Sequence, residues 1–294
     1  MTCSSTGGRR NDRGLEPPGG YGSVDMNLTK HHGLGNDFLV AMSTSDLPCR
    51  PDAAVARGLC DRHTGIGADG FLWGLPPTGA HADLRMVLHN ADGSEAEISG
   101  NGIRCLAQAF LRTVGRDTAT VRIETAAGLR VIESRGTDDR DVLWMSVDMG
   151  EVVVGPSEPP KLSAELDQRF GTRHGTFSIG NPHLVITVGD LDSIDIRAEG
   201  PRLESAFIGG INVHFLEYIG ADHLRLLHWE RGAGATLACG SGASVSAVAA
   251  RRWGLSGDEV ALELPGGRAQ VTISGYDRVT LSGPATYVGA VAVP

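Results

Sequence analysis

The chain has 294 residues, 41% of them hydrophobic, with a net charge of -9. At about 150 residues per domain, that is one large domain or two small ones with enough apolar surface for a core. The acidic balance argues against a nucleic-acid or anionic-membrane surface, and no apolar run reaches the ~20 residues of a bilayer span.

Residues 1–25 are rich in Gly, Ser, Arg and Pro and hold no apolar h-region. They read as a disordered extension and not as a secretory signal. From Met26 the pattern is globular. Strand-like alternation covers Asp83–Leu88, Val121–Thr125, Leu129–Glu133 and Leu143–Asp148. It returns over Leu184–Val188, Val213–Tyr218, Leu224–Trp229, Ala269–Ile273 and Val279–Ser282. Between the two groups, Gly150–Ala164 carries Pro156, Pro159 and Pro160 and reads as a linker. That cut leaves one unit over residues 26–149 and a second over 150–282.

Each unit has one clear helix start. The first is Ser99-Gly100-Asn101-Gly102, followed by a stripe of Ile103, Leu106, Ala107, Phe110 and Leu111 and a stop at Gly115. The second is Cys239-Gly240-Ser241-Gly242, followed by Val245, Val248 and Ala249 and a stop at Gly254. A shift of 140 residues lays Cys239 on Ser99, Gly240 on Gly100 and Gly242 on Gly102. A looser echo pairs Gly35-Asn36 with Gly180-Asn181. The expected fold is α/β, two copies of one unit facing each other across a cleft.

Composition then narrows the chemistry. Of 26 basic residues only Lys30 and Lys161 are lysines. Lys30 heads a strand-like run and Lys161 reads as loop. The scarcity disfavours pyridoxal chemistry, which needs a Schiff-base lysine. The cysteines are Cys3, Cys49, Cys60, Cys105 and Cys239, an odd set without CxxC, as expected of a reducing, cytoplasmic compartment. No metal-ligand spacing accompanies His31-His32.

A helix N-terminus offers unpaired N–H groups and about half a positive charge, so it binds carboxylate or phosphate. Glycine lets the ligand approach the backbone. A cysteine at the N-cap is expected to have a lowered pKa. Two such ends facing each other could hold one carboxylate, with the two caps on opposite faces of the adjoining carbon. That is the geometry for stereoinversion at an amino-acid α-carbon. Cys105, six residues into its helix, is about 9 Å from the helix start and is expected to pack in the core.

The motifs resemble the diaminopimelate epimerase family, in order and across nearly all the globular chain. They are His32-Gly33-Leu34-Gly35-Asn36-Asp37-Phe38, the Cys60–Gly70 run, Asn90–Glu97 with Gly100–Cys105, Gly180-Asn181-Pro182-His183, Asn212-Val213, and Glu230–Gly234 through Gly242. The resemblance implies two pseudo-symmetric domains, each a barrel-like sheet around a central helix, with the last strand (283–294) returning to the first domain. It implies a cofactor-independent isomerase that interconverts LL- and meso-diaminopimelate for lysine and peptidoglycan precursors. It also implies a small-molecule substrate and a homodimer.

Site roles follow from the same resemblance. Gly100, Asn101, Gly240 and Ser241 would hold the reacting α-carboxylate. Asn36, Asn90, Asn181 and Asn212 would bind the substrate's ammonium and carboxylate groups. Arg231 suits a bidentate clamp on the distal carboxylate, and Glu230 can pair with an ammonium. His183 and Glu230 belong near the chemistry, which Cys239 and the residue at position 99 would carry.

Two departures stand out. The family has cysteine at both helix starts, and here the first is Ser99, a far weaker acid that needs an adjacent base. The family usually has Glu where this chain has Ala235. Three explanations stay open for Ser99: an impaired epimerase, a relative that uses Cys239 as its only base, or a different substrate, as in related dehydratases. A silent diamino-acid binder, or a racemase of another amino acid such as histidine or lysine, also remains. Arg231 discriminates the last, because only a distal carboxylate needs it.

Overall fold

The computed structural model describes residues 28–44 and 48–293. The expected N-terminal extension lies outside the described residues.

The first half runs β1 (Leu28–Gly33), β2 (Asn36–Met42), α1 (Ala53–Cys60), β3 (Gly70–Leu75), β4 (Leu84–Asn90), β5 (Glu95–Ala96), α2 (Gly100–Val114), β6 (Ala119–Thr125), β7 (Gly128–Gly136) and β8 (Val142–Glu151). After β9 (Val153–Val154) and α3 (Pro160–Phe170), the second half follows. It comprises β10 (His174–Ser178), β11 (Pro182–Val188), a 3-10 turn at Leu191–Ser193, α4 (Ile196–Glu204), β12 (Asn212–Gly220), β13 (His223–Trp229), α5 (Gly240–Arg252), β14 (Glu259–Leu264), β15 (Gly267–Ser274) and β16 (Arg278–Val291).

The two halves repeat one plan. An antiparallel hairpin (β1–β2, β10–β11) leads through a helix to a parallel strand (β3, β12) and an antiparallel one (β4, β13). The central helix and a second parallel pairing (β4 with β6, β13 with β14) complete it. Even the hairpin turns match, with Gly35 and Gly180 both at positive φ (81° and 93°).

Strand β16 joins the halves. It pairs with β15 through Ser282, with β8 through Thr286, and with β1 through Val291. It thereby closes β1, β2, β3, β4, β6, β7, β8 and β16 into an eight-stranded barrel. The remaining strands, from β16 through β15 to β9, wrap α5. The α/β expectation holds, as do both barrel-like sheets around a central helix.

Helix α2 is buried on nearly every side from Gly100 to Ala109 because it threads the barrel. Its apolar stripe alone would bury one face. The helix stops as expected at Gly115, in the left-handed region (φ 67°), with Arg116 N–H closing on Leu111 O at 3.0 Å. Cys105 is fully buried in the common core, as its spacing predicted.

The linker reading of Gly150–Ala164 is corrected. Val153–Val154 pair with β10, and Pro160 opens α3, so Lys161 is helical and not in a loop. Proline fits there because the first helical turn has no partner for its missing N–H.

Candidate active site

The two helix starts meet. Ser99 caps α2 (φ -132°, ψ 124°) and Cys239 caps α5 (φ -123°, ψ 107°), so both caps have the same backbone shape. Ser99 Oγ accepts Gly102 N–H at 3.0 Å, and Cys239 Sγ accepts Gly242 N–H at 3.3 Å. The helices touch through glycine: a Cβ on Gly240 would lie 3.5 Å from Gly100 Cα and 2.9 Å from Leu281 Cδ2. Bulkier residues would push the two rows of free N–H groups apart. Ser241 Oγ lies 3.5 Å from Cys239 Sγ.

Asn101 ties the halves together. Its Nδ2 donates to Ala238 O (3.2 Å) and to Asn36 Oδ1 (3.3 Å), and its Oδ1 accepts Arg104 Nη2 at 2.6 Å. Asn36 Nδ2 is engaged by Asp69 Oδ2 at 2.8 Å. Arg104 lies in the motif Gly100–Cys105, but the sequence reading gave it no role. It is fully buried, its Nη1 donates to Gly100 O at 2.8 Å, and its Nε has no partner. Among the described residues its hydrogen bonds go only to neutral oxygens. Burial lowers its pKa to about 10, which still leaves it cationic at pH 7.

On the Cys239 side, Glu230 is near enough for its charge to act on the thiol. Burial pushes the Cys239 pKa far up, and the neighbouring Glu230 charge pushes it further. Burial likewise raises Glu230. This corrects the expectation of a lowered thiol pKa: desolvation outweighs the helix end in this closed site. With both groups raised, Glu230 is the acceptor at hand for the thiol's proton.

The Ser99 side is different. The 140-residue shift places Asn90 where the other half has Glu230. Asn90 is exposed, and its Nδ2 donates to Ser94 Oγ at 3.0 Å. An amide cannot take a proton from Ser99 as a carboxylate could.

The other expected residues spread around these centres. Asn212 is buried, donating to Pro182 O at 2.9 Å and accepting Arg231 N–H at 3.0 Å. Arg231 is exposed; its guanidinium donates to Gly209 O at 3.1 Å, with no carboxylate partner among the described residues. His183 is fully buried, with Nδ1 on His214 Nε2 and Nε2 on Asn181 Oδ1, both at 2.8 Å. Burial lowers the His183 pKa to about 3, so it is neutral at physiological pH. His214, whose ring underlies Gly242 in the first turn of α5, and His228 on β13 were not singled out from sequence. Their signal was only a pair of histidines inside two apolar strand runs.

The family model "Diaminopimelate epimerase" matches residues 28–155 and 175–288. The chain belongs to that family. The diaminopimelate epimerase of Prochlorococcus marinus (strain MIT 9313) is 42% identical over 285 residues, covering 89% of this chain and 90% of the relative. That of Synechocystis sp. (strain ATCC 27184 / PCC 6803 / Kazusa) is 41% identical, covering 90% and 97%. Among solved structures, a predicted epimerase from Pseudomonas aeruginosa superposes with a TM-score of 0.69 at 16% identity, covering 91% of this chain and 99% of that one. A hydroxyproline epimerase from Agrobacterium vitis, with bound trans-4-OH-L-proline, reaches 0.65 at 18% identity, covering 92% and 93%. At such identities these structures show a shared fold.

Proposed function

We propose that this chain is a diaminopimelate epimerase, interconverting the LL and meso forms by cofactor-free removal and return of the α-proton in lysine and peptidoglycan precursor synthesis. One observation carries the reading: two helix N-termini abut at Gly100 and Gly240, with a protonatable cap on each side. The free N–H groups of both helices would hold the α-carboxylate and the charge that grows on it as the C–H bond breaks. Cys239, paired with Glu230, would work one face of the α-carbon. Ser99 would face the other as a poor donor, which makes return of the proton there the slow step.

Asn36, Asn90, Asn101, Asn181, Asn212 and Ser241 would orient the substrate, with His183 holding Asn181. Arg231, with its guanidinium turned to a lone carbonyl, is free to clamp the distal carboxylate. The same reading assigns residues 26–149 to one domain, with 283–294 returning to it, and 150–282 to the other. It also takes the protein as a cytoplasmic homodimer. No helix among the described residues is long and apolar enough to cross a membrane.

The test is interconversion of LL- and meso-diaminopimelate together with solvent deuterium exchange at the α-carbon. Cys239→Ala should abolish both. Unchanged exchange in that variant would remove Cys239 from the proposed role.

A further inference from the structure

Glu230 is held from behind by residues outside the expected site. The Thr236 hydroxyl donates to Glu230 Oε1, and Thr236 Oγ1 lies 3.0 Å from His228 Nε2. A carboxylate oxygen only accepts, so the single hydroxyl proton points at Glu230 and Thr236 must accept from His228. That fixes His228 with its proton on Nε2. On the far side, His183 donates to Asn181 Oδ1 and so accepts from His214 Nε2. The Nδ1 atoms of His214 and His228 are left as buried lone pairs without a partner. Burial lowers His228 to about 4 and His214 well below the usual histidine range, and the neighbouring imidazoles push His214 further. The three rings are therefore neutral at physiological pH and act as oriented dipoles.

The internal repeat supplies a built-in comparison. A shift of 140 takes Glu230 to Asn90, Thr236 to Ala96 and His228 to Leu88. Leu88 and Ala96 are direct partners across β4 and β5. The parallel registers match Phe38 with Gly70 in one half and His183 with Asn212 in the other. They set Phe38 opposite His183 and Leu72 opposite His214. Thr236 and the three histidines thus have apolar counterparts in the half whose cap is Ser99, and Glu230 has an uncharged one. The polar file exists only where a carboxylate stands beside the thiol.

We infer that His228 and Thr236 are positioning residues that hold Glu230 as the proton acceptor for Cys239, so that proton abstraction is faster on the Cys239 face than on the Ser99 face. The inference rests on the α-proton chemistry proposed above. In the step, the Cys239 S–H proton passes to a Glu230 oxygen. The thiolate then takes the substrate α-proton, and the C–H electron pair moves into the carboxylate as an enediolate. The other charged group acting on Glu230 is Asp69 ahead of β3, whose negative charge opposes its ionisation.

The test reads Glu230 directly. Infrared spectra of the substrate-free protein are recorded from pH 4 to 9, and the carboxylic-acid C=O band that disappears in Glu230→Gln is assigned to Glu230. Thr236→Val removes the hydroxyl donor from the carboxylate, and His228→Leu, which copies Leu88, removes the N–H that orients that hydroxyl; losing an aimed donor raises a carboxylate's pKa, so the midpoint should rise by about one pH unit in each. His228→Gln, which keeps an N–H donor, should leave it in place. The acid limb of deuterium exchange should move with the band. An unmoved midpoint in Thr236→Val and His228→Leu, or a wild-type acid band that persists at pH 8, overturns the inference. A shifted midpoint in a protein that does not exchange diaminopimelate overturns the functional reading and leaves this one standing. Normal exchange with an unmoved midpoint does the reverse.

Discussion

Ser99→Cys separates the two faces of the proposed reaction. The caps share backbone angles, and each accepts the N–H two residues beyond the first helical glycine, so a thiol at position 99 needs no backbone shift. A well-placed acid or base contributes about 10²–10⁴-fold, which is about 3–5 kcal/mol of barrier at 1.36 kcal/mol per tenfold. Asn90 stands where the other half has Glu230, so the new thiol lacks a carboxylate and the gain belongs at the low end, about 10²-fold. Two assays run in parallel: deuterium uptake starting from each stereoisomer, and LL–meso interconversion by circular dichroism. Wild type should exchange one stereoisomer faster than it interconverts them. Ser99→Cys should raise interconversion and leave exchange on the Cys239 face nearly unchanged. Equal rates in wild type, with no gain in the variant, would refute the asymmetry between the faces.

Other substitutions probe the remaining geometry. Gly240→Ala puts a Cβ 2.9 Å from Leu281 Cδ2, so it should cost about 1–3 kcal/mol in urea unfolding and lower kcat more than tenfold by parting the helix ends. Leu281→Ala in the same chain should recover part of the kcat; if it recovers none, the clash is not the cause. Arg231→Met should raise KM about 10²-fold, with a smaller effect on kcat, because it removes charge-assisted bonds to the distal carboxylate. An unchanged KM would take Arg231 away from that carboxylate. Stability should also depend on pH. His31 and His228 at about 4 and His183 at about 3 stay unprotonated when folded, whereas the unfolded chain takes up those protons near 6.5. Stability present above 6.5 is therefore lost as pH falls towards 4, by up to about 4 kcal/mol per pH unit for the three together. Thermal melts that do not change between pH 7 and 5 would contradict this.

Much of the fold was legible because its signals are local. The Ser99 and Cys239 helix starts, their stripes and the Gly115 stop are short-range features, and the 140-residue echo doubles each helix start. Two elements were misread or passed over for physical reasons. The proline-rich stretch before α3 looks like linker because proline serves equally well in a loop and at a helix start. Helix α4 carries Gly200 and Pro201 inside nine residues, so propensity argued against it; Asp195 caps it all the same, and Leu203 is buried in the second half's core. The site was legible as a set of residue types. Its electrostatics were not: Cys239 beside Glu230, and His214 aligned with His228 across β12 and β13, are products of register and burial.

Strand β16 has a consequence for how the protein is made. The other seven staves of the barrel around α2 lie between Leu28 and Glu151, yet the stave that closes it comes from the far end of the chain, Arg278–Val291. During synthesis at about 5–20 residues per second, the first half emerges with β1 and β8 as open edges for many seconds before its closing strand leaves the ribosome. Open edges recruit other strands. A chain truncated before β16 should therefore aggregate, and closure of the first barrel should wait on the C-terminal strand.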